Sequence, residues 1–298
     1  MQDLSPESIA VNRIELGIAD EKNLTLDVLR LDKIHPLISG NKWFKLKYHL
    51  RNAKDKGKGH IVTFGGAYSN HIIATAAAGK LFGFETTGII RGMEQITRSH
   101  TLAAAAGLGM KLFFVSRGDF ASRTWPRDLT EHRDVYLIYE GGFGECGVAG
   151  AAEILNYCRQ EQYTHIACAV GSATTMAGLI RAALPRQTVL GVSVVKDNGG
   201  IQRNLSTLIG HDRASSFQII NDYHFGGYAK HPWELTNFMN DFYTSALIPS
   251  DFVYTGKLFF GIVDMVGHNC FPRYSKVLVI HSGGLQGNQS LPEGTLVF

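Results

Sequence analysis

Short runs of β-branched and aromatic residues alternate along this chain with longer Ala- and Leu-rich stretches. The runs at 8–15 and 24–31 read as two opening strands joined as a hairpin. Further strands are predicted at 60–64, 87–90, 111–115, 135–139, 166–170, 188–195, 217–220 and 276–280. Helix-compatible segments fall between them, among them 70–81 and 148–159. Apolar strands separated by helices predict an α/β fold, a parallel sheet with helices on both faces. Glycines mark two strand ends far apart in sequence, near 65 and near 171, which predicts two open-sheet lobes with a ligand cleft between them. No repeat or low-complexity linker divides the chain. The lobes are therefore expected to be interwoven, a small α/β domain at 46–147 inserted into a large one built from 1–45 and 148–298.

Composition narrows the class without naming a reaction. With 298 residues, 45% of them hydrophobic and 18% charged, the chain can bury a sizeable core. The net charge of +3 comes without any Lys/Arg run interleaved with aromatics, so a nucleic-acid partner is not expected. Cys146, Cys158, Cys168 and Cys270 show no CxxC spacing and read as reduced thiols of a cytoplasmic protein. The first residues lack a signal-peptide pattern, and no apolar run reaches membrane-spanning length. The expectation is a cytoplasmic enzyme acting on a small molecule.

The segment Ser39-Gly40-Asn41-Lys42-Trp43-Phe44-Lys45-Leu46 places Lys42 among apolar residues. Desolvation lowers a lysine pKa and yields the neutral amine that attacks carbonyls. Lys45, one helical turn on, could hold an anion as a fixed charge. A solvated helix start with a Lys42/Lys45/Lys47 face explains the same residues. Phe64-Gly65-Gly66-Ala67-Tyr68-Ser69-Asn70-His71 follows a strand and opens a helix, so Ser69, Asn70 and His71 could receive a carboxylate at a helix N-terminus, or only cap it. Gly171, Ser172, Ala173, Thr174 and Thr175 form a second strand-to-helix turn, rich in hydroxyls and suited to a phosphate monoester. No GxxxxGK[ST] occurs, which points to a phosphorylated cofactor rather than a nucleoside triphosphate.

Gly142-Phe143-Gly144-Glu145-Cys146-Gly147 matches the dinucleotide fingerprint GxGxxG, but the next strand ends at Val170-Gly171 without the acid that would hold a ribose. A Gly-rich crossing between lobes is the plainer reading. Tyr254, Thr255 and Lys257 precede an apolar helix, Tyr228 lies in a Gly-rich loop, and His281-Ser282-Gly283-Gly284 ends an apolar strand. The twelve histidines form no recognisable ligand spacing, so no catalytic metal is expected.

Together, GNK-x-x-K-L (40–46), GG-x-x-SNH (65–71), the 171–175 turn, VYTGK (253–257) and HSGG (281–284) resemble the family of 1-aminocyclopropane-1-carboxylate deaminase and D-cysteine desulfhydrase. The resemblance runs from about residue 9 to 287. It implies pyridoxal 5'-phosphate as cofactor and fold type II, the fold of the tryptophan synthase β chain. It further implies Lys42 as the Schiff-base lysine, Lys45 and the segment Gly171 to Thr175 as phosphate contacts, and Ser69 and Asn70 as contacts to the substrate carboxylate and cofactor ring. Tyr228 and Tyr254 match the two active-site tyrosines. Thr255 and Ser282 stand where the deaminases have Glu and Leu and the desulfhydrases have Thr. A hydroxyl beside the ring nitrogen makes a weaker electron sink than a carboxylate, which favours β-elimination of a good leaving group over opening of a cyclopropane.

The resemblance thus implies a D-cysteine desulfhydrase-like lyase giving pyruvate, sulfide and ammonia, with Lys42 or Ser69 taking the Cα proton and Tyr254 or Tyr228 acting as general acid. It also implies a homodimer. The alternatives are a 1-aminocyclopropane-1-carboxylate deaminase giving 2-oxobutanoate, a dehydrogenase using the GxGxxG stretch, and a pyridoxal-phosphate-binding protein without catalysis. Trp43-Phe44 and Ala67-Tyr68 depart from the family pattern, and the chain beyond Gly287 is short.

Overall fold

A computed structural model describes residue 4 and residues 6–94, 96–197, 199–210 and 215–298. The chain opens with β1 (Val11–Ile14), a short helix α1 (Gly17–Glu21) and β2 (Thr25–Arg30), then enters the helix α2 (Asn41–Asp55). Next come β3 (His60–Gly66), α3 (Asn70–Phe82), β4 (Glu85–Arg91), α4 (His100–Gly107), β5 (Lys111–Val115), α5 (Arg117–Ser122) and β6 (Val135–Ile138). The rest runs α6 (Glu145–Ala152), β7 (His165–Val170), α7 (Thr174–Ala182), β8 (Thr188–Ser193), α8 (Gly200–Ile209), β9 (Ser216–Ile220), α9 (Trp233–Ala246), α10 (Thr255–Gly267) and β10 (Lys276–His281).

These strands form two sheets. One has the order β1-β2-β10-β7-β8-β9 and the other β5-β4-β3-β6. Every pairing is parallel except β1 with β2. Strands covered on both faces lose the in–out alternation, and β7 (HIACAV) and β10 (KVLVIH) are buried along nearly their whole length. The Ala-rich α3 is buried over its first ten residues, because small side chains let neighbouring elements close around it.

Two expectations need correcting. β1 and β2 are antiparallel neighbours, yet α1 fills the connection, so they are not a tight hairpin. The helix expected at 148–159 begins at Glu145 and its α-helical part ends at Ala152, giving way to a 3₁₀ turn over Glu153–Tyr157. The Glu153 carboxylate at that change is held by Lys47 and Tyr48 of α2. α6 approaches α2 closely: a Cβ on Gly150 would lie 1.8 Å from the Phe44 carbonyl oxygen, so only glycine fits. Trp43 and Phe44 belong to the hydrophobic core, Trp43 stacking on Phe82 at 5.8 Å and Phe44 meeting Tyr157 edge-on at 5.5 Å.

Candidate active site

Lys42 sits in the first turn of α2 because Gly40 permits the chain to enter there. Gly40 has φ 62° and ψ −135°, and the Asn41 amide donates to the Ser282 carbonyl at 3.2 Å. The Asn41 side chain ties two distant segments: its Nδ2 donates to Thr175 Oγ1 at 2.8 Å, and its Oδ1 accepts from Lys42 Nζ at 2.7 Å. Lys42 Nζ also lies 5.7 Å from the centroid of the Tyr254 ring. Burial lowers the Lys42 pKa to about 8, against the opposing pull of Asp251.

Lys45, 5% exposed, donates to Gly141 O at 2.9 Å and touches no carboxylate among the described residues. Burial, and then the charge of Lys42, hold its pKa well below the usual lysine range. A buried cation without a counter-ion is costly and marks a place for an anion. The anion-binding partner is adjacent. A Cβ on Gly141 would lie 2.9 Å from Ser172 Oγ, placing the wall that accepts from Lys45 against the 171–175 turn. In that turn Ala173 adopts the left-handed conformation, Ser172 and Thr174 hydroxyls are 3.2 Å apart, and Thr174 and Thr175 open α7. The GxGxxG stretch folds as this wall, a Cβ on Gly142 falling 3.0 Å from Lys45 Cβ.

Ser69 caps α3. Its Oγ accepts from the amides of His71 at 3.2 Å and Ile72 at 3.4 Å. Both lone pairs are thereby engaged while its proton remains available, which suits a donor to a carboxylate and not a base. Asn70 accepts from Gln286 Nε2 at 2.8 Å through Oδ1. His71 is turned inward. Thr63 Oγ1 donates to Ile138 O at 2.7 Å, so it accepts from His71 Nε2 at 2.9 Å, fixing a neutral Nε2–H tautomer. Burial and nearby lysines hold the His71 pKa well below its usual range, so this ring brings no positive charge to a substrate.

Tyr254 and Tyr228 do come together. Their rings meet edge-on at 6.2 Å and 76°. Burial raises the Tyr254 pKa well above the ordinary phenol, and desolvation raises that of Tyr228, whose residue is 45% exposed, so both are protonated near neutrality. Thr255 is fully buried; its Oγ1 accepts from the Asp251 amide at 2.7 Å and donates to Asp251 Oδ1 at 2.7 Å. Its proton is therefore engaged, and it can only accept from a further partner. Ser282 contributes its carbonyl to the Asn41 amide and is nearly buried.

Sequence reasoning passed over Asp251. This buried carboxylate also accepts from the amides of Val253, Tyr254 and Thr255. Burial raises its pKa, and these hydrogen bonds oppose the rise. An Asp three residues before the tyrosine, at a helix entrance, was the available signal. Among the described residues no cluster of His, Cys, Asp and Glu could hold a metal ion, and no helix is long and apolar enough to cross a membrane.

Comparison with known proteins agrees with this geometry. The profile of a family described as pyridoxal-phosphate dependent enzymes matches residues 19–283. A Thermotoga maritima protein provisionally named 1-aminocyclopropane-1-carboxylate deaminase is 29% identical over 291 residues, covering 91% of this chain and 92% of the relative. A Pyrococcus horikoshii protein with the same provisional name is 28% identical over 268 residues, covering 84% and 81%. The crystal structure of an ACC deaminase homologue superposes with a TM-score of 0.79 at 24% identity, covering 97% of this chain and 92% of the other. A hydrogen sulfide-producing enzyme from Fusobacterium nucleatum shares the fold, with a TM-score of 0.68 at 10% identity over 94% and 96% of the two chains.

Proposed function

Because the chain belongs to the family of pyridoxal-phosphate-dependent enzymes and has their fold type II architecture, we propose that it is a lyase releasing the β-substituent of a small D-amino acid, with D-cysteine as the favoured substrate. The residues fit the cofactor. Lys45 is a buried lysine without a carboxylate, set beside the hydroxyl-rich turn at the start of α7, where an anion would favour its charged form. Lys42, Lys45, Asn70, Gly171, Ser172, Ala173, Thr174, Thr175, Thr255 and Ser282 would hold it. Once bound, the cofactor supplies an electron sink for a carbanion at Cα.

The chain's own groups divide the remaining work. Lys42, with a pKa lowered to about 8, is partly neutral near pH 7 and takes the Cα proton. Ser69 is assigned to carboxylate binding, since its lone pairs already accept two amides. Asn70 and the N-terminus of α3 share that contact. Tyr254 and Tyr228, both protonated, supply the proton to the departing thiolate. The observation carrying the substrate choice is Thr255, a neutral oxygen where the deaminases have a carboxylate. We extend the proposal to a homodimeric cytoplasmic enzyme with its small domain at 46–147, a division supported by the confinement of β3 to β6 to that span.

One observation favours a second reading. Asp251 lies directly behind the Thr255 hydroxyl and lends it carboxylate character, which suits ring opening of 1-aminocyclopropane-1-carboxylate. Two relatives carry that provisional name. Incubation of the holoenzyme with each compound separates the two. D-cysteine is expected to give sulfide and pyruvate in equal amounts. Release of 2-oxobutanoate from the cyclopropane amino acid without sulfide from D-cysteine would transfer the function to the second reading. Neither product would contradict both.

A further inference from the structure

Lys257, the third residue of α10, is fully buried. Lysines are seldom withdrawn from water unless the ammonium is paired with an opposite charge. Among the described residues no carboxylate lies within ion-pair distance of this one. Its Nζ donates instead to three backbone carbonyls: Gly227 at 2.7 Å, His224 at 2.9 Å and Val194 at 3.3 Å. An ammonium has three donors and no acceptor, so this set is filled. The His224 and Gly227 carbonyls also accept the amides of Gly227 and Lys230, at 3.0 and 3.2 Å. Carbonyl oxygens aimed at one point repel each other unless a cation sits among them, and a low local dielectric sharpens the effect.

The backbone so gripped is strained. Phe225, Gly226, Gly227 and Ala229 have φ of 53°, 89°, 125° and 56°. Non-glycine residues in that region persist where the surroundings hold them there. The turn carries Tyr228, while Lys257 sits three residues after Tyr254 at the start of α10. A single ammonium therefore ties together the two segments that present the paired phenols.

We propose that Lys257 is a positioning residue: its ammonium, caged by the carbonyls of Val194, His224 and Gly227, holds the 224–230 turn so that Tyr228 meets Tyr254. The effect on turnover rests on the reading above that these tyrosines protonate the leaving group. Cutting the side chain back leaves the carbonyl cage, which a free monovalent cation can fill, as carbonyl oxygens replace the hydration shell of potassium elsewhere.

The test uses Lys257→Ala and Lys257→Gln holoenzymes, in potassium chloride or in tetramethylammonium chloride at equal ionic strength. In tetramethylammonium, Lys257→Ala is expected to lose kcat by about 10- to 100-fold, the scale of a misplaced catalytic group. KM and the visible absorbance of bound cofactor should stay near the parent values. Amide hydrogen exchange at Gly227 and Lys230 should accelerate, and potassium should restore both protection and kcat. Lys257→Gln, retaining donors, should fall between parent and alanine variant, and it carries the test if alanine does not fold. Unchanged exchange at Gly227 and Lys230, or accelerated exchange that potassium leaves unaltered, overturns the proposal. Exchange that responds as expected with kcat unmoved leaves Lys257 holding the turn and overturns the tyrosine assignment instead.

Discussion

Lys42→Ala is expected to abolish the visible absorbance of covalently held cofactor and to lower turnover by about 10⁴-fold, the upper range for loss of a positioned acid–base group. Two functions meet on one nitrogen here. Lys42 is the lysine whose pKa burial lowers to about 8 while its Nζ stays within 2.7 Å of Asn41 Oδ1 and close to the Tyr254 ring. Lys45 cannot substitute, because its Nζ is held by Gly141 O, beside the hydroxyl-rich turn. The proposed phosphate contacts remain in the variant, so cofactor should still bind, more weakly and without its covalent link. Absorbance spectra and keto-acid release measure both effects. A Lys42→Ala protein that stayed yellow after dialysis and remained active would exclude Lys42 from the role.

Gly40→Ala is expected to destabilise the protein by about 3 kcal/mol or more, combining backbone strain with overpacking. Gly40 has φ 62°, and an added Cβ would lie 1.9 Å from the Ser282 carbonyl oxygen and 2.2 Å from its carbon. Relief requires the start of α2 to move away from the turn after β10, breaking the bond from the Asn41 amide to Ser282 O. That movement would displace Lys42, so activity should fall with stability. The urea midpoint of the apoprotein reads the first effect without interference from cofactor binding. An unchanged midpoint would show that this contact is more yielding than its geometry implies.

The parts of the site that could be read from sequence are those whose chemistry is local. Ser69 and the 171–175 turn announce helix starts by residue type, and Lys42 stands out because apolar residues surround it in the chain. Asn41 is a polar neighbour of Lys42 in the chain, but its bond to Thr175, 134 residues away, depends on β2 and β7 flanking β10 in one sheet. Nothing in the residue types around Asp251 shows that the fold buries it before the start of α10. Lys257 read as part of a motif, while its partners are backbone carbonyls from two other segments and carry no residue signature. His71 stands beside Ser69 and Asn70 in the chain as a proposed substrate contact, and the fold turns its ring toward Thr63.

Thr255 illustrates how structure alters the meaning of a correctly noticed residue. The sequence treats it as a free hydroxyl, and in the fold that hydroxyl donates its hydrogen bond to Asp251. The oxygen is still neutral, so it is a weaker acceptor than the carboxylate of the deaminases, but the contrast is narrower than the residue types alone imply. Trp43 and Phe44, which depart from the family pattern, pack in the core between α2 and its neighbours.

The central claim is that Lys42 is the lysine that carries the cofactor. Borohydride reduction of the holoenzyme, followed by proteolysis and mass spectrometry, locates the attachment directly. The account predicts a phosphopyridoxyl group on the peptide containing Lys42, at that residue and in stoichiometric amount. Attachment at Lys45, Lys257 or any other lysine, with Lys42 unmodified, would contradict it.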